Sequence, residues 1–235
     1  MLILSRQNIE AIGEAVLADC AMANVKKFSI PLNLEWFARR YLNLNVEYRK
    51  LSDDGTILGF TAYRGMNLKL PSGLGETELS VPKDTVFLDE TLNKPNKAHS
   101  MRFTLAHECA HHILARIEEK RTGCSFRRRF DKGRQYTCRE LRTAGDWCEW
   151  QANALAAVLL IPKSALSPYL TRWGRPFKLT SFGGYFNAPD YEIIKKLVER
   201  FNVSASVVKI RLKETGNLIF KLESEFCDPL DIIAG

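Results

Sequence analysis

His107-Glu108-Cys109-Ala110-His111 sets two imidazoles four residues apart, with a carboxylate directly after the first. On an α-helix, at about 100° per residue, His111 falls about 40° from His107 and Glu108 about 100°, while Cys109 and Ala110 turn to about 200° and 300°. The imidazoles and the carboxylate therefore share one face. Imidazole nitrogens suit Zn²⁺ at roughly 2.0 to 2.1 Å, and two histidines one helical turn apart reach a single ion. Glu108 is offset from them and reads as the catalytic base. It would take a proton from water that the ion acidifies towards a pKa of about 7, then pass it to a leaving amine. The competing reading is a chance match among ordinary surface histidines, which a helical context with its own apolar stripe opposes.

A catalytic zinc needs a third protein ligand and leaves its fourth position to water. The best candidate is Glu149 in Trp147-Cys148-Glu149-Trp150-Gln151-Ala152-Asn153, because a carboxylate among tryptophans and alanines on a buried helix needs a partner. The alternative partner is one of the nearby arginines. Asn153 follows four residues on, hence on the same face, where its side chain can hydrogen-bond a ligating imidazole and fix its tautomer.

The elements that must hold these residues are legible in outline. Phe103, Ala106, Ala110, Ile113, Leu114 and Ile117 fall on one stripe and predict a helix from about Ala98 to Glu118. A second long helix, from about Leu141 to Leu160, is apolar almost all round after Ala152 and ends before Pro162. Upstream, residues 8–23 and Leu32 to Tyr41 carry helical spacing. From Ile57 to Leu88, glycines and prolines punctuate short β-prone stretches, which predicts a small antiparallel sheet with Thr77 to Val81 and Thr85 to Leu88 as its candidate edges for binding an extended peptide. Lys120 to Arg139 reads as a basic loop. Ser167 to Pro189, rich in Gly, Pro, Ser and Thr, reads as an irregular connector. Two short helices, Pro189 to Phe201 and Ser204 to Glu214, close the pattern, with Ser204 as N-cap and Gly216 as stop.

Composition bounds the function class. The chain has 235 residues, 46% hydrophobic, with 34 Lys and Arg against 27 Asp and Glu, a formal net charge of +7. Arg127, Arg128, Arg129, Lys132, Arg134, Arg139 and Arg142 cluster, which suits nucleic acid or an acidic protein but is more often a solvated surface. The longest apolar run, Ala154 to Ile161, falls far short of the roughly 18 residues that span a bilayer. No secretion leader is visible, and six cysteines without a C-x-x-C pair read as reduced thiols in a cytoplasm.

Arg102-Phe103-Thr104-Leu105-Ala106-His107-Glu108, then Ala110-His111-His112, followed by Glu149-x-x-Ala152-Asn153-x-x-Ala156 and Leu160-Ile161-Pro162, resembles the ImmA/IrrE family of zinc peptidases. The resemblance runs over about residues 25 to 215 and includes Phe201-Asn202-Val203-Ser204 and Arg211-Leu212. It implies an α+β, zincin-like peptidase domain with one Zn²⁺, Glu149 as third ligand, and cleavage of a helix-turn-helix repressor. Cys109 and Ala110 depart from the Leu-Gly usual between the motif's glutamate and second histidine; both are small. The expected organisation is a peptidase domain over 1–170, a connector over 171–188 and a helical, helix-turn-helix-like extension over 189–235.

Four further features carry less. His112 and Tyr136 are candidates for contact with substrate or the oxyanion. His99 reads as solvated. Cys124, Cys138 and Cys148 could place a thiolate on the metal, although plain thiols fit better. The rival function is a DNA-binding regulator in which zinc is structural. Against it, closed structural sites take four protein ligands, and Glu108 would have no task.

Overall fold

A computed structural model of the chain describes residues 2–23, 28–72, 75–118, 124–128, 143–174 and 177–226, with the backbone alone at 68, 70–72, 75–77, 124–128 and 144. The chain divides into two compact units, Met1–Pro162 and Lys163–Gly235.

The first unit opens with α1 (Arg6–Ala23) and α2 (Leu34–Trp36), which continues as a π-helical turn over Phe37–Tyr41. Five strands follow: β1 (Asn45–Arg49), β2 (Ile57–Ala62), β3 (Met66–Ser72), β4 (Gly75–Val81) and β5 (Thr85–Asp89). Then come α3 (Ala98–Ile117), β6 (Cys124–Arg128) and α4 (Ala144–Leu160). The main sheet has the order β1-β5-β2-β6, while β3 and β4 form a separate hairpin. α3 packs on β2 and β5 on one side and on α4 on the other, and α1 packs on α4.

This sheet differs from the antiparallel one that the sequence suggests. β1 runs parallel to β5, so the sheet is mixed, and it recruits strands from either side of the Ile57 to Leu88 segment. β5 is central, paired to β1 on one side and to β2 on the other. Thr85 to Leu88 is therefore no edge for a peptide, because its ladder groups are already used. β4 pairs with β3. Within the presumed basic loop, Cys124 to Arg128 is a strand that takes an outer position beside β2.

Alternation decides the faces of β2. Phe60 and Ala62 point into a cluster with Leu51, Val81 and Phe87, in which the rings of Phe60 and Phe87 stack at 4.9 Å. Gly59 and Thr61 turn to the other face, against α3. α3 is buried without interruption from Thr104 to Leu114, so sheet and helices enclose it on every side. α1 comes so near α4 that a Cβ on Gly13 would collide with Val158. The amides of Leu2 and Leu4 donate to Glu118 (2.9 Å) and Gln151 (2.8 Å), fastening the start of the chain to α3 and α4.

The second unit holds α5 (Lys163–Leu170), β7 (Leu179–Phe182), α6 (Ala188–Phe201), α7 (Ala205–Glu214) and β8 (Leu218–Lys221). α6 ends on Asn202 in the left-handed region, and Ser204 caps α7. Gly216 adopts φ 75°, the conformation its type permits, and the chain reverses there into β8. β8 pairs in parallel with β7, so the Ser167 to Pro189 stretch contains a strand rather than an irregular connector throughout. No single helix among the described residues is long and apolar enough to cross a membrane.

Candidate metal centre

α3 and α4 are packed side by side, and each contributes to one cluster. The start of α4 is fixed by a reciprocal cap: Asp146 N donates to Thr143 Oγ1 at 3.1 Å, and Thr143 N donates to Asp146 Oδ2 at 2.8 Å. Such a cap sets the helical phase, and with it which side chains of α4 face α3. Glu149 and Asn153, one turn apart, both do so.

Three donor groups converge. His107 Nε2 lies 2.9 Å from His111 Nε2, and the two nitrogens lie 3.2 Å from Glu149 Oε2 and Oε1 respectively. All the donor atoms stand within 4.8 Å of one another. Around a tetrahedral zinc with bonds of roughly 2.0 to 2.1 Å, ligand atoms stand about 3.3 Å apart, close to the observed spacings.

The tautomer agrees. His107 Nδ1 donates to Asn153 Oδ1 at 2.9 Å, so the ring proton sits on Nδ1 and the Nε2 lone pair is left facing the cluster. Two inward-facing imidazole nitrogens and a carboxylate, with both histidine side chains fully buried, make a donor set that fits a divalent cation. Burial raises the Glu149 carboxyl, but hydrogen bonds and charge from His107 and His111 in their protonated forms outweigh it and hold the group well below the usual carboxylate range, a part that would pass to a cation where the Nε2 lone pairs face it. An ionised carboxylate is the form that ligates.

Glu108 stands outside the three-donor group. It is fully buried, and its Oε2 accepts from the Thr61 hydroxyl at 2.8 Å. Gly59 lies beside the same carboxylate: a Cβ there would stand 3.0 Å from Glu108 Oε1. Neither β2 residue belongs to the sequence motif. The available signals were a glycine inside a strand and a hydroxyl on its buried face, and both gain meaning only once β2 is known to lie on α3.

The remaining candidates scatter. His112 is buried against Asp84 of the β4–β5 turn, Nδ1 to Oδ1 3.7 Å, and not against the three donors. Burial lowers its pKa, with Asp84 opposing the shift and Arg116 adding to it. His99 is half-buried in the first turn of α3 rather than fully solvated. Cys109 is buried on α3, where burial and the nearby Glu108 push its thiol far above the ordinary value. Cys148 is partly exposed. Tyr136 and Cys138, with Arg129, Lys132, Arg134, Arg139 and Arg142, lie outside the described residues, as do the side chains of Cys124, Arg127 and Arg128.

The profile of the IrrE N-terminal-like domain, a peptidase family, matches residues 81–213, a span that includes β5, α3, β6 and α4. None of the curated proteins matches the chain. The matched span covers more than half of the chain and contains all three converging donors together with Glu108. The chain belongs to the peptidase family of the IrrE N-terminal-like domain.

Proposed function

We propose that the protein is a zinc-dependent endopeptidase that cuts a helix-turn-helix repressor and so relieves repression. The observation that carries the reading is the His107 Nδ1 to Asn153 bond, which leaves a lone pair on Nε2 aimed at His111 and Glu149. His107, His111 and Glu149 would hold the ion. Zinc bound there supplies Lewis acidity towards water and towards a peptide carbonyl. Glu108 takes a proton from the attacking water as its oxygen bonds to the carbonyl carbon. It returns that proton to the amide nitrogen as the C–N bond breaks. Thr61 occupies Glu108 Oε2 with a hydrogen bond, so the carboxylate works from a held position. The repressor is the substrate that the family resemblance implies, and the helices α6 and α7 of the second unit are the parts offered for recognising it.

The experiment uses the full chain. Wild-type protein should carry about one zinc, and His107→Ala and His111→Ala should each remove it. Glu108→Gln should keep zinc and lose hydrolysis of a helix-turn-helix repressor substrate by roughly two orders of magnitude or more. Full zinc retention in both histidine variants would overturn the site, and wild-type cleavage by Glu108→Gln would overturn the mechanism.

A further inference from the structure

The sheet holds two residues against Glu108 that the motif does not contain. Gly59 and Thr61 alternate onto the α3 face of β2, whereas Phe60 and Ala62 between and after them serve the apolar cluster behind. A buried strand position paired with Val86 would suit a valine, the apolar shape-match of threonine. A hydroxyl there is costly unless it is bonded. Thr61 has no exposure, and the acceptors its Oγ1 reaches both belong to Glu108: Oε2 at 2.8 Å and the main-chain oxygen at 3.3 Å. One hydrogen serves the shorter contact best, so the hydroxyl is spent on the carboxylate.

Gly59 gives independent support. Its φ lies outside the positive range that calls for glycine, so backbone conformation does not require the residue. What requires it is space. A Cβ would stand 2.9 Å from Thr104 Cγ2, 3.0 Å from Glu108 Oε1 and 3.2 Å from Glu108 Cγ. The β2–β6 register also shifts between Ile57 and Gly59, the local irregularity expected where a strand accommodates a close neighbour.

We propose that Gly59 and Thr61 are positioning residues for Glu108: the hydroxyl anchors one carboxylate oxygen and the missing side chain leaves room for the other. This rests on the reading of Glu108 as the base. A glutamate has three side-chain torsions, and a misplacement of about 1 Å at a catalytic group costs on the order of 100-fold in rate. The anchor removes that freedom through a group that touches neither substrate nor ion.

The test compares Thr61→Val, Thr61→Ser and Gly59→Ala, each alone and combined with Glu108→Gln, in the full chain. One readout is the pH profile of the visible band of Co²⁺ bound in place of zinc, which senses the charge held beside the ion. The other is cleavage of dye-quenched casein. Thr61→Val should bind Co²⁺ as tightly as wild type, displace the band's pH profile, and slow casein turnover roughly 10- to 100-fold at unchanged KM, the worth of a hydrogen bond to a charged group. Thr61→Ser should restore both readouts, and Gly59→Ala should reproduce Thr61→Val. With Glu108→Gln present, Thr61→Val should move the band no further. The proposal fails if Thr61→Val leaves the profile at wild type, or displaces it equally when Glu108 is Gln. The cobalt arm decides alone if wild type does not cut casein. Cleavage by Glu108→Gln at the wild-type rate would instead sink the base assignment, a separate outcome from any result at Thr61.

Discussion

Asn153 shows how a residue outside the donor group governs one inside it. Its amide oxygen takes the Nδ1 proton of His107, and without it that ring is free to carry its proton on Nε2, where it would block the cluster. Asn153→Ala should weaken zinc affinity by roughly 10- to 100-fold, measured by competition with a chromogenic chelator, whereas Asn153→Asp, which keeps the acceptor, should stay near wild type. Unchanged affinity in the alanine variant would mean that the tautomer is held by something else. The two histidines and Glu108 were legible in the sequence because a helix converts spacing directly into direction. Glu149 was reachable through its incongruity, a carboxylate in an apolar helix, and through the family resemblance. Gly59 and Thr61 were not legible at all, since their meaning depends on a contact between segments nearly fifty residues apart, for which no local pattern exists.

Between elements, α1 meets α4 tightly at Gly13. An alanine within a helix would ordinarily gain up to about 1 kcal/mol over glycine. Here its Cβ would meet Val158 and Leu155, both buried in the second half of α4. Gly13→Ala should therefore lose stability, by about 1 to 3 kcal/mol, as overpacked cores do, read as a lower denaturant midpoint at an unchanged slope. A higher midpoint would show that α1 can back away. The long helices could be read from sequence because stripe, cap and stop are all local: Thr143, Ser204 and Asn202 do where they stand what such residues do anywhere. Strands β1, β6 and β7 could not. Each is held by a partner distant in sequence, β1 by β5, β6 by β2 and β7 by β8, and short stretches such as Cys124 to Arg128 have no periodicity long enough to announce themselves.

Among the described residues of the first unit, four acidic hydrogens are locked in by the fold. Burial, helped by Asp19, pushes the Cys20 thiol up to about 11, and burial with Glu108 raises Cys109 further. Tyr41 and Tyr48 are raised by burial and by the hydrogen bonds they donate to Asp19 and Glu35, both at 2.6 Å. Each folded value lies above its unfolded counterpart, so above the ordinary thiol and phenol values of about 9 and 10 the folded state holds more protons than the unfolded one. The stabilisation is complete below pH about 9 and is lost as pH rises through the folded values. Denaturant midpoints should be level from about pH 7 to 9 and fall steadily beyond; a midpoint still level near pH 11 would contradict the burial of these groups. The exposure of the metal cluster is uneven in a way that gives traffic through it an order. Both imidazoles are sealed at 0% exposure and Glu149 keeps 36%. An ion arriving from solvent would meet the carboxylate before either ring, and a departing one would leave it last. Glu149 thus sits on the path of entry and exit alike. Shortening it to aspartate would change the rate of arrival as well as the dwell time, whereas a lesion at either imidazole would shorten the dwell time and leave the rate of arrival as it was.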